Sequence, residues 1–167
     1  MNAPGRRRLS LGARLALLAA FAVAMGYLEA TVVWYIRAIL DWIPVPADLT
    51  PEAIEHVPSW IIFAEQCREA ATIVMLVTLA LLVGRTWRER LGAFLYAFAI
   101  WDIFYYVWLY VLIGWPPSLS TQDCLFLIPK PWLAPVWFPL LASGVLGMIS
   151  LLLLGVGKGS QPRAPRS

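Results

Sequence analysis

Four long apolar runs, at 15–36, 60–84, 91–113 and 132–156, leave this chain few ways to fold. A helix needs about 20 mostly apolar residues to cross about 30 Å of hydrocarbon, and each run supplies them. The expected fold is all-α: a polytopic membrane protein built as a four-transmembrane-helix bundle. Residues 1–157 are read as the single membrane domain, and the Gly, Ser, Pro and Arg of 158–167 as a disordered cytoplasmic tail. With 60% hydrophobic and 14% charged residues, the chain falls outside the soluble range of about 25% charged. A lipid bilayer is its expected surrounding. The first run follows Arg6, Arg7, Arg8 and Arg14 and contains Ala22-Val23-Ala24, features shared with a cleaved signal peptide. Its apolar stretch continues well past Ala24, so the run is read as a retained span.

Orientation follows from Lys and Arg at the span ends, which favour the cytoplasmic side. One set of segments carries ten, namely Arg6, Arg7, Arg8, Arg14, Arg85, Arg88, Arg90, Lys158, Arg163 and Arg166; the other carries Arg37 and Lys130. The expectation is a multi-pass protein of the bacterial inner membrane with both termini cytoplasmic. The acids lean the opposite way: Glu89 is inside, whereas Asp41, Asp48, Glu52, Glu55 and Asp123 fall in the two outer loops. The net charge of +3 is accounted for by topology, and no stretch forms the basic face with interleaved aromatics that would bind nucleic acid.

The first outer loop holds Pro44, Pro46, Pro51 and Pro58, and Thr50-Pro51-Glu52 predicts a short helix capped by Thr with Pro at its first position. The second holds Pro116, Pro117, Pro129 and Pro131, and its Leu125-Phe126-Leu127-Ile128 is apolar enough to dip into the membrane interface. Pro135 and Pro139 are expected to kink the outer end of the fourth span.

Ionisable residues inside the runs are the most informative feature. A charge at membrane depth costs at least about 2.5 to 3.5 kcal/mol, so it faces the bundle interior and finds a partner. Glu29 lies eight residues before Arg37, about 12 Å below the outer face, and Glu69 nine after Trp60, about 13 Å below it. Asp102 is twelve residues from Arg90, about 18 Å up from the inner face, which leaves about 12 Å of a 30 Å core. Three helices therefore bring a carboxyl group to one level. Glu65, Arg68, Glu69 and Thr72 share one helix face, so Arg68 is expected to reach both glutamates. Tyr105 and Tyr106 lie on the face of Asp102 and are expected to serve it as donors. Ala22, Gly26 and Ala30 give the small-residue spacing that lets helices approach closely.

Glu29, Glu65, Arg68, Glu69, Asp102, Tyr105 and Tyr106 are thus the candidate ligand- or proton-binding residues. Four carboxylates and one guanidinium leave a formal −3, and in a low dielectric such a set protonates or admits a cation. No catalytic residue and no cofactor can be named. No metal site is expected, since the EXXH pairs of carboxylate di-metal bundles are missing and Arg68 would repel metals. His56 reads as a solvated loop residue and Cys67 as a small core residue. Cys67 and Cys124 could in principle pair, but they form no CxxC redox motif.

The segments Arg68-Glu69-Ala70-Ala71-Thr72, Trp101-Asp102-Ile103-Phe104-Tyr105-Tyr106, Gly114-Trp115-Pro116-Pro117-Ser118 and Leu125-Phe126-Leu127-Ile128-Pro129 resemble those of small four-span bacterial integral membrane proteins of uncharacterised function. The resemblance covers most of residues 20–145. It implies architecture and location, and no activity. Two functional classes follow from the residues: an outward-facing acidic and aromatic cluster that binds a proton, a cation or another small ligand, or a non-catalytic structural or assembly subunit whose partners are other membrane proteins.

Overall fold

The computed structural model describes residues 10–42 and 49–155. Helix α1 spans Leu11–Ile39, α2 Pro51–Glu55, α3 Ser59–Val83, α4 Trp87–Ile113 and α5 Trp137–Leu154; between α4 and α5 lie strands β1, Gln122–Phe126, and β2, Trp132–Pro135. Among these, α1, α3, α4 and α5 are long and apolar enough to cross a membrane. The architecture is the expected all-α four-helix bundle, with one small antiparallel hairpin added at one end. The expected tail at 158–167, Asp48, and the basic residues at 6–8, 158, 163 and 166 lie outside the described residues.

Local chemistry sets the helix ends. Ser10 caps α1 by accepting from the Ala13 amide, and Thr50 caps α2 in the same way through Ala53, with Pro51 at the first helical position as expected. Thr86 caps α4 by accepting from the Glu89 amide. The Glu89 carboxylate reaches back to the Arg85 amide and also meets Arg14 of α1 at 3.2 Å. Arg14 donates in turn to the Val83 carbonyl at the end of α3, so one side chain ties three helices at this end. Gly114 closes α4 in the left-handed conformation that its missing side chain permits.

Helix α4 is the hub, packing extensively against α1 and α5 and less against α3. The α1–α4 approach depends on small residues: Ala22 and Ala30 are fully buried, and a Cβ on Gly26 would lie 3.1 Å from the Trp101 carbonyl oxygen and the Tyr105 amide nitrogen. Leu18, Ala22, Leu76, Ala80, Ala93 and Ala97 fill the half of the bundle away from the hairpin. A second cluster of Ala30, Tyr106, Leu109, Trp115 and Val136 sits beneath the hairpin.

The fourth span departs from its expected limits. Residues 132–135 do not begin a helix but pair with the preceding loop, Gln122 with Pro135, Asp123 with Ala134 and Cys124 with Leu133. A strand suits this segment because prolines at 131 and 135 deny amides that a helix would use, while an antiparallel ladder satisfies the amides that remain. Pro139 falls in the first turn of α5, where an amide has no intrahelical acceptor, so it opens the helix instead of kinking it. Leu125 and Phe126, expected to dip into the interface, belong to β1 and fold back over the bundle.

Candidate functional site

Between the hairpin, α1, α3, α4 and α5 lies a cavity of about 390 Å³, within the size range of small-molecule pockets. All seven candidate residues, Glu29, Glu65, Arg68, Glu69, Asp102, Tyr105 and Tyr106, line it. The structure therefore gathers at one place the carboxyl groups that helical rise sets at one level. Much of the remaining wall is apolar or aromatic, from Val33, Ile36, Phe98, Trp101, Phe126 and Leu146.

The pairing inside the cavity differs from the expected one. Arg68 does reach Glu65, through Nε at 2.9 Å and Nη2 at 2.9 Å, but its other arm goes across to Glu29 of α1, Nη1 to Oε1 at 2.7 Å, and not to Glu69. The exchange is favourable because Glu29, buried on α1, would otherwise be left without a cation. Glu29 accepts a further bond from Trp101 Nε1 at 2.8 Å. Glu69 instead takes the Leu127 amide at 3.0 Å, and the neighbouring Gln66 donates to the Leu127 carbonyl at 3.2 Å. These two bonds fasten the end of β1 to α3.

Asp102 is likewise not served by the tyrosines. It accepts from Ser143 of α5 at 2.8 Å, while Tyr106, one turn further along α4, donates to Asp123 of β1 at 2.9 Å. Tyr105 packs edge-on against Tyr106 with ring centroids 4.9 Å apart. After Arg68 has engaged Glu29 and Glu65, the carboxyl groups of Glu69 and Asp102 have only neutral donors among the described residues.

Two charged residues of this site were read from sequence as loop or topology markers. Arg37 is 4% exposed and Asp123 2% exposed, and both line the cavity. Their side chains approach to 3.9 Å, and the Arg37 guanidinium lies over the Trp115 ring with Cζ 4.0 Å from its centroid. Burial pushes the Asp123 carboxyl up to about 6, against the opposing pull of Arg37 and of the Tyr106 hydroxyl. A signal for Arg37 existed: Glu29, Val33, Ile36 and Arg37 fall at i, i+4, i+7 and i+8, a single helix face. Ser143 and Ser150, both buried, share a face of the otherwise apolar α5 by the same rule. Nothing in its sequence neighbourhood marks Asp123.

The cysteines are free. Cys67 is exposed and not a core residue, because the face of α3 opposite Glu69 points away from α4. Burial pushes the Cys124 thiol up to about 12, which keeps it protonated and unreactive near neutral pH. His56 is exposed, its Nδ1 2.7 Å from the Glu52 carbonyl oxygen. No group of three or more His, Cys, Asp or Glu among the described residues is arranged to hold a metal ion. Comparison with protein-family models, curated proteins and solved structures returns no match.

Proposed function

We propose that the chain is a multi-pass protein of a bacterial inner membrane, with both termini cytoplasmic and the cavity opening towards the outer side, and that this cavity binds a small organic cation. The observation that carries the reading is the imbalance of charge at the site. Five carboxyl groups line the cavity against two guanidiniums, and Arg68 already holds two of those carboxylates. A positive group placed near Glu69 and Asp102 would relieve a repulsion that the protein's own side chains leave standing. Apolar and aromatic walls favour a molecule over a bare proton, since rings such as Trp101 and Tyr105 attract a desolvated ammonium through their faces. The orientation rests on the ten-to-two distribution of Lys and Arg. A periplasm-active reporter joined after Ser160 should stay silent, and activity there would reverse the assignment.

Asp102→Asn tests the cation site. Asn keeps an acceptor for Ser143 and removes one like charge, so the purified variant should melt at the same temperature as wild type or higher. It should bind hexyltrimethylammonium about tenfold more weakly, as followed by tryptophan fluorescence in maltoside micelles. If the carboxylates only fix helix register, as in an assembly subunit, Asp102→Asn will instead lower the melting temperature as far as Arg68→Leu does.

A further inference from the structure

The two arginines of the cavity are satisfied very differently. Arg68 makes charge-assisted contacts of 2.7 to 2.9 Å with two carboxylates. Arg37 is more deeply buried, yet its one carboxylate neighbour is 3.9 Å away, well beyond the about 2.7 to 2.9 Å of a charge-assisted hydrogen bond. Its Nη1 has no hydrogen-bond partner among the described residues and no contact with solvent. Leaving a buried guanidinium so under-coordinated is costly, and proteins seldom tolerate it without a use. The neighbouring Asp123 is itself bonded to Tyr106, which holds it back from closing on Arg37.

Arg37 also stands at a defined distance from the acids. Along the cavity face of α1, Glu29 is followed by Val33 and Ile36 and then Arg37, all lining the same space. Eight residues of helix separate the two charges by about 12 Å of rise, with aliphatic side chains between them. This wall therefore runs from acid through apolar to base.

We propose that the cavity takes a zwitterionic ligand, its cationic end among Glu69 and Asp102, an apolar segment along Val33 and Ile36, and a carboxylate or phosphate oxyanion on Arg37. The inference rests on the reading of the cavity as a cation site and adds the second charge. A planar guanidinium that lines the cavity and keeps one donor unpaired suits a two-oxygen anion, which a small turn of the side chain would let it meet. The oxyanion competes with the Asp123 carboxylate for Arg37. The separation of the two poles distinguishes this ligand from a phospholipid headgroup, whose opposite charges are adjacent.

The test compares two soluble probes on the full-length protein in maltoside micelles: hexyltrimethylammonium, and the 6-(trimethylammonio)hexanoate that carries a carboxylate at its far end. Wild type should bind the zwitterion tighter than the cation by about tenfold or more, the worth of a charge-assisted contact. Arg37→Gln should abolish that preference while leaving cation binding in place. Equal binding of both probes by wild type would overturn the Arg37 subsite and leave the cation site standing, whereas binding of neither would remove both. Should Arg37→Gln fail to fold, Asp123→Asn carries the test, because removing the competing carboxylate should strengthen zwitterion binding alone; no gain there overturns the proposal. Displacement of the zwitterion by phosphatidylethanolamine added to the micelles would overturn the spaced-charge class in favour of a headgroup.

Discussion

The half of the bundle away from the hairpin and the half beneath it are built on opposite plans. In the first, alanines and leucines from α1, α3 and α4 close the interior, and the charged residues stay at the helix ends, where Arg14 meets Glu89 with both side chains about a quarter to a third exposed. In the second, helices of the same length and apolarity surround an open space lined by five carboxyl groups, two guanidiniums and a set of rings. Small residues let helices approach and exclude everything else; large aromatic and charged residues hold them apart. The hairpin covers the second half and is secured by side chains of the cavity itself, Glu69 to Leu127 and Tyr106 to Asp123. Stability and openness are therefore divided between the two ends of one bundle.

The largest effect that would sharpen this contrast comes from the arginines of the two halves. Arg68→Leu strands Glu29 and Glu65, whose side chains are each 13% exposed, and a broken buried pair costs about 3 to 5 kcal/mol. Arg14→Leu breaks a pair that solvent already screens, for which less than about 1 kcal/mol is expected. Melting curves of the two purified variants should separate them clearly. Equal losses would mean that the hairpin half is no more dependent on its charges than the other end.

Packing gives the next effect. Leu at Gly26 would drive a side chain into the α4 backbone near Trp101 and Tyr105, and overpacking of this kind costs about 1 to 3 kcal/mol. At Gly147, where a Cβ meets only Ala99 at an ordinary 3.7 Å, Ala should be tolerated and gain up to about 1 kcal/mol of helix propensity. Thermal denaturation of Gly26→Leu beside Gly147→Ala checks whether the α1–α4 approach is as tight as the distances indicate. An unchanged melting temperature for Gly26→Leu would break the account of close packing.

What could be read from the sequence follows from which forces are local. Apolar runs of about 20 residues and the helical rise of about 1.5 Å are local, so the four long apolar helices and the meeting of Glu29, Glu69 and Asp102 at one cavity were legible. Partner choice is not local. Arg68 turns to Glu29 on another helix in preference to Glu69 on its own, and Tyr106 passes over Asp102 for Asp123 of β1, because side-chain direction is settled only when α1, α4 and β1 are in place. The hairpin was missed for a related reason: residues 122–135 alternate poorly and hold several prolines, and only their pairing over the cavity makes them strands. Arg37 at a span end and Asp123 in a loop read from sequence as markers of the outer side, and most such charges are exposed. The shared face of Glu29 and Arg37 was the one available clue.

The smallest effect, and the one most specific to the hairpin half, is a pH dependence set by Asp123. Its carboxyl titrates at about 6 in the folded protein, above the ordinary 3.8, so the folded state holds this proton where the unfolded chain has released it. The stability the proton contributes is fully present below about pH 4 and is lost as pH rises through about 6. Between about pH 5 and pH 7.5 that loss amounts to about 1 to 1.5 kcal/mol. The informative quantity is the difference between wild type and Asp123→Asn, which has no such proton to lose. Melting temperatures of the two proteins at about pH 5 and about pH 7.5, in the same detergent, should show wild type falling further than the variant as the pH is raised. Parallel behaviour would mean that Asp123 is not buried beneath the hairpin.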